Sequence, residues 1–100
     1  MNGLTPAETE RIAKLTEELG EAQQVVGKIL LHGWRAVDPE GNVYHNREDL
    51  QRELGDVQAA MRLMTRAGDL NAVSIAQQRR KKFLTITRYM VHQALDALET

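Results

Sequence analysis

Between Ile12 and Ile29 the residues Ile12, Leu15, Leu19, Ala22, Val26 and Ile29 recur at steps of three and four without a miss. That rhythm places them on one face of an α-helix. The start of the helix is marked as well. Thr5 can cap it, Pro6 fits a first turn that needs no donor from it, and Glu8 stands where a capping box requires an acid. Leu31-His32-Gly33 marks the end, with Gly33 as a left-handed stop. A helix of about 27 residues is about 40 Å long, whereas a compact chain of about 100 residues has a radius of gyration near 13 Å. So long a helix leaves apolar surface uncovered. The expected fold is therefore all-α: one domain over residues 1–100, a bundle of three or four helices completed by homo-oligomerisation into a dimer or tetramer.

The rest of the chain fits that reading. Residues 33–45 have no sustained period and carry a turn at Pro39-Glu40-Gly41-Asn42, so they read as a loop, and loops this long in small domains are usually functional. Asn46 reads as the cap of a second helix, with Asp49 in its first turn. Leu50, Leu54, Val57, Met61 and Met64 form its stripe, and Ala67-Gly68 ends it. Asp69-Leu70-Asn71 is a short link. Asn71 caps a third helical stretch from about 72 to 98, striped by Val73, Ala76, Phe83, Met90, Ala94 and Leu98, with a break near 80–88 where Arg80 and Thr87 interrupt the pattern.

Charge and composition narrow the function. The formal net charge is −1, which argues against a binder of nucleic-acid polymers working by bulk positive charge. Cysteine is absent, so thiolate zinc sites and cysteine nucleophiles are excluded. The first residues lack a signal-peptide pattern, and no apolar run is long enough to cross a bilayer. The expectation is a cytoplasmic protein without membrane partners.

One short pattern occurs twice: Glu18-Leu19-Gly20-Glu21 on the first helix and Glu53-Leu54-Gly55-Asp56 on the second. In each, two carboxylates at i and i+3 share a helix face. Both pairs flank their apolar stripes in the same rotational direction, so packing the stripes brings four carboxylates to one seam. Gly20 and Gly55 would let a backbone or ligand come close. Like charges at a half-buried seam call for a neutralising cation, and all-oxygen ligation favours Mg²⁺ or Mn²⁺.

Glu17-Glu18-Leu19-Gly20-Glu21 followed by Glu53-Leu54-Gly55-Asp56 resembles the EExxE…ExxD signature of the MazG-like all-α nucleoside triphosphate pyrophosphohydrolases, over residues 12–89. The gap between Glu21 and Glu53 is longer than in MazG proper, and residues 33–45 read as the insertion. The resemblance implies cleavage between the α and β phosphates, giving a nucleoside monophosphate and pyrophosphate. It implies that Glu18, Glu21, Glu53 and Asp56 hold Mg²⁺, with Glu17 supporting the bound water. Lys28, two turns beyond Glu21, and Lys82, from the basic run Arg79-Arg80-Lys81-Lys82, would bind substrate. Tyr89 follows that run, where related chains carry an aromatic residue. Trp34 is a candidate for stacking on a base. His32, His45 and His92 share no metal-ligand spacing. The alternatives are a phosphoribosyl-ATP pyrophosphohydrolase and a non-enzymatic helical interaction module. A di-iron carboxylate bundle is disfavoured, since neither Glu18 nor Glu53 has a histidine three residues on.

Overall fold

A computed structural model describes residues 1–93. The chain divides into two compact units, Met1–Leu70 and a second beginning at Asn71. The first contains α1 (Pro6–His32), β1 (Arg35–Val37), β2 (Val43–His45) and α2 (Asn46–Arg66), and the second contains α3 (Ala72–Phe83). The protein is mostly helical, with a small two-stranded sheet. No helix among the described residues is long and apolar enough to cross a membrane.

The ends of α1 lie where its sequence signals put them. Thr5 Oγ1 accepts from Glu8 N at 3.1 Å, and Glu8 Oε1 accepts from Thr5 N at 2.8 Å, a reciprocal capping box. Gly33 stops the helix with φ at 88° and ψ at −179°. The positive φ suits glycine, but the ψ is extended and not the left-handed helical value expected.

α1 and α2 pack antiparallel. Arg11, near the start of α1, binds Asp69, just past the end of α2, and Asn46, at the start of α2, binds Gly33 at the end of α1. The buried apolar residues are Ala22, Val25, Val57, Ala60 and Met64. Together with half-buried neighbours they trace two seams of alternating steps of three and four: Arg11, Leu15, Glu18, Ala22, Val25 and Ile29 on α1, and Asn46, Leu50, Glu53, Val57, Ala60 and Met64 on α2. Such spacing keeps one narrow face toward a partner helix.

This seam is rotated from the expected stripe. Ile12, Leu19, Val26 and Leu54 are 39%, 50%, 42% and 47% exposed, while Glu18 is only 8% exposed. Counting apolar residues gave the centre of the apolar surface, and the contact face lies to one side of it. Ile12, Leu19, Val26, Leu54 and Met61 each follow a seam residue by one place, whereas Glu21 and Asp56 each precede one. In an antiparallel pair these two sets lie on opposite flanks of the seam.

The segment expected to be an aperiodic loop is a β-hairpin, with Arg35 opposite His45, Ala36 opposite Tyr44 and Val37 opposite Val43. Strands of three residues are too short to reveal a period of two in sequence. The turn itself falls where expected. Asp38 organises it, accepting from Asn42 N at 2.8 Å, Asn42 Nδ2 at 2.9 Å and the Tyr44 hydroxyl at 3.1 Å. These donors, Asn42 first, hold the Asp38 carboxyl below its ordinary pKa, and the bond to Asp38 raises that of Tyr44.

Asn46 corrects another expectation. His45 occupies the cap position of α2 and makes no capping bond. Asn46 is the first helical residue, 3% exposed, and donates through Nδ2 to Gly33 O at 3.0 Å. It joins the end of one helix to the start of the next.

In the second unit Asn71 caps α3 as expected, accepting from Val73 N and Ser74 N. The helix ends at Phe83 and isolated turns follow to the end of the described residues, so the expected break near 80–88 is observed and no helix resumes before residue 93. Ala94 and Leu98 lie outside the described residues.

The Arg11–Asp69 pair is bidentate, Nε to Oδ2 at 2.6 Å and Nη2 to Oδ1 at 2.9 Å, with side chains 20% and 13% exposed. The bond to Arg11 holds the Asp69 carboxyl below its ordinary pKa. Its stabilisation is therefore fully present above the unfolded value of about 3.9 and fades as pH falls through the lower folded value. Asp69→Asn should lower the melting temperature at pH 7, and the gap from the native protein should narrow below about pH 4. Thermal melts followed by circular dichroism at pH 7 and pH 3 check this, and an equal deficit at both would count against it.

Candidate metal centre

The antiparallel pairing brings Glu18 and Glu21 of α1 together with Glu53 and Asp56 of α2. One carboxylate oxygen from each lies within 4.8 Å of all the others, an arrangement that could hold a metal ion. The i, i+3 spacing puts each pair on adjacent turns of its helix. Glu18 and Glu53 are seam residues, with side chains only 10% and 14% exposed. Glu21 is half-buried and Asp56 exposed, so the cluster opens to solvent along the flank opposite Leu19 and Leu54.

The hydrogen bonding of the two deep acids is incomplete. Glu18 Oε1 lies 3.4 Å from Lys14 Nζ, and Glu53 Oε1 lies 3.8 Å from Arg52 Nη2. The remaining oxygen of each, Oε2, is buried with no hydrogen-bond partner. Leaving a buried charged acceptor unsatisfied costs several kcal/mol, on the order of 1–3 even for a neutral group. A cation answers both the missing partners and the repulsion among the acids. The dimensions fit one. Opposite oxygens are about 4.2 Å apart across an octahedral Mg²⁺ and about 4.8 Å across Ca²⁺. Four oxygen donors suit hard cations of this kind better than zinc or copper.

Lys14 was not evident as a site residue in the sequence, although its i, i+4 spacing to Glu18 is a local signal. It lies 3.4 Å from both Glu17 and Glu18, and bonds to Glu18 and then Glu17 raise its pKa. Glu17 is exposed and not among the four clustered acids. It connects to them through Lys14.

The glycines of the repeated motif do not serve close packing. A Cβ at Gly20 or Gly55 would meet nothing within 4 Å, so the expectation that they admit a nearby backbone is corrected. Both lie outside the seam.

The other candidates have surroundings of their own. Lys28 lines a cavity of about 400 Å³ between the end of α1 and the hairpin, with His32, Val37, Asp38, Tyr44 and Asn46. Trp34 is not part of that lining. It is 50% exposed, and the Arg47 guanidinium lies 4.5 Å from the centre of its ring, so one ring face is already occupied by a cation. Lys82 is in the second unit, on a surface groove with Ile75, Gln78 and Arg79. Tyr89 is 91% exposed.

No family model, curated protein or solved structure matches the chain. The functional reading therefore rests on the geometry of the acidic cluster and on the motif it contains.

Glu53→Gln removes one charge from the seam and keeps its shape. Without divalent metal its melting temperature should equal or exceed that of the native protein, because the repulsion is relieved. Saturating Mg²⁺, at about 100 times its dissociation constant, should stabilise the native protein by about 2.7 kcal/mol and the variant by less. Thermal melts with chelator and with Mg²⁺ measure both. A loss of stability in chelator with an unchanged response to Mg²⁺ would contradict the assignment.

Proposed function

We propose that the chain is a divalent-cation-dependent nucleotide pyrophosphohydrolase of the MazG-like kind, splitting a nucleoside triphosphate into a monophosphate and pyrophosphate. The observation that carries this reading is the pair of buried, unpartnered oxygens, Glu18 Oε2 and Glu53 Oε2, within a four-carboxylate cluster on facing helices. The order of acids, Glu17-Glu18-x-x-Glu21 and Glu53-x-x-Asp56, adds the resemblance to that family.

In this reading Glu18, Glu21, Glu53 and Asp56 hold the cation, Mg²⁺ or Mn²⁺. When bound, the cation neutralises triphosphate charge and makes its water a better nucleophile. The exposed Asp56 and half-buried Glu21 face the side from which a phosphate chain can enter. Glu18 and Glu17 are the carboxylates suited to receive the proton of the attacking water. Lys14 ties these two together and fixes Glu18 Oε1 through its ammonium. Lys28 supplies a cation for substrate, and Trp34 offers the ring face not covered by Arg47. The reaction is expected to release no orthophosphate unless inorganic pyrophosphatase is added. Orthophosphate in its absence would mean cleavage at the wrong bond. Glu53→Gln is expected to lower the rate at least about tenfold, a loss of about 1.4 kcal/mol of transition-state stabilisation.

The same reading includes a homo-oligomer. Ile12, Leu19, Val26, Leu54 and Met61 form an apolar flank on α1 and α2, turned away from the acids. A second copy is its natural cover, since exposed apolar surface of this kind marks association. Light scattering at micromolar concentration should give a multiple of 11.3 kDa, and the monomer mass would refute the assembly.

A further inference from the structure

The position of the hairpin cavity that Lys28 lines is informative. Lys28 lies seven residues beyond Glu21 on α1, and Asn46 lies seven residues before Glu53 on α2. The helices run antiparallel, so both counts lead in the same direction. At 1.5 Å per residue, each helix puts the cavity about 10 Å from the carboxylates. That is the distance over which a nucleotide anchored by its phosphates would extend its sugar and base. The volume, about 400 Å³, falls in the range of small-molecule sites.

The walls are amphipathic in the way a nucleoside requires. Ala36, Val37, Pro39 and the Tyr44 ring supply apolar surface, and the polar groups are few and held in place. Asp38 is fixed by its three donors from Asn42 and Tyr44, which also keep it ionised. Asn46 is fixed by its bond to Gly33 O, which commits one of its two amide hydrogens and leaves the amide oxygen free to accept. Lys28 is exposed and forms no salt bridge among the described residues. The cavity thus offers a fixed negative charge and an amide oxygen to hydrogen-bond donors, and an ammonium to an acceptor.

We propose that the hairpin cavity is the nucleoside subsite of this chain and selects bases carrying an exocyclic amino group, guanine, cytosine and adenine, over thymine and uracil. The amino group faces Asp38 and Asn46, and a neighbouring acceptor of the ring, carbonyl oxygen or ring nitrogen, faces Lys28. Thymine and uracil carry a carbonyl in place of the amino group, which the Asp38 carboxylate repels. The proposal rests on the phosphates being held at the acidic cluster.

The test is calorimetric binding in Mg²⁺, using α,β-methylene triphosphates of guanosine, cytidine, adenosine and uridine, with inorganic tripolyphosphate as the probe that has no base. The native protein should bind the guanosine, cytidine and adenosine compounds at least about tenfold more tightly than the uridine compound and than tripolyphosphate. Val37→Trp, which fills the cavity from a half-exposed strand position, should abolish that advantage and leave tripolyphosphate binding unchanged. Lys28→Met, at an exposed helical position, should reduce the advantage of the three preferred bases. Equal binding of all four nucleotides, or full preference in Val37→Trp, overturns the proposal. Absence of binding by every probe overturns it together with the phosphate site. Selective binding of the analogues with no cleavage of ordinary triphosphates would leave the subsite standing and remove the proposed activity alone.

Discussion

Placing a carboxylate between two packed helices is costly unless something compensates it, and this protein does so twice at facing positions. Glu18 and Glu53 occupy seam positions that Ala22, Val25, Val57 and Ala60 continue with small apolar side chains. The helices approach along a thin core that offers these acids no hydrogen-bond donors for their inner oxygens. The remaining contacts of the first unit hold that pairing from its ends: Arg11 with Asp69 at one, Asn46 with Gly33 at the other. The hairpin links the helices at the second of these ends and lines a cavity there with Lys28 and Asn46.

Much of this was legible in the sequence. Thr5, Pro6, Glu8 and Gly33 are local signals, and α1 begins and ends by them. Asn71 announces α3 in the same way. The acid cluster was legible because both motifs have the same spacing and the same sense of rotation about their helices. Its depth was not. Hydrophobic periodicity points to where apolar side chains are densest, so it centred α1 on Leu19 and Val26, which are about half exposed, and moved Glu18 off the contact face. The Arg11–Asp69 pair spans 58 positions and leaves no local trace. Asn46 looked like a cap because its composition and place suit one, yet its amide is spent on the preceding turn of chain. The kinship suggested by the motif is a proposal, whereas the geometry of the acids bears on cation binding.

The two flanks of the helical pair have different chemistry. One carries Ile12, Leu19, Val26 and Leu54, the other Glu21 and Asp56. A further chain could cover the first without closing the second, so the proposed assembly and the proposed substrate entry would not compete for surface. Small proteins often reuse one face for both and must then build the site at an interface. Here the four clustered acids come from one chain.

The antiparallel pairing also makes the acid cluster a gauge of helix alignment. Sliding α2 along α1 by three residues displaces its carboxylates by about 4.5 Å, and by a full turn about 5.4 Å. Either slip would carry them about as far as the whole 4.8 Å span of the cluster. Apolar seams of small residues discriminate weakly between such alignments, because alanine and valine pack acceptably against one another in several. A bound cation does not tolerate the change. It would therefore do for this pair of helices what a buried polar residue does for a coiled coil: penalise every alignment but one. Folding specificity and chemistry would then draw on the same four side chains.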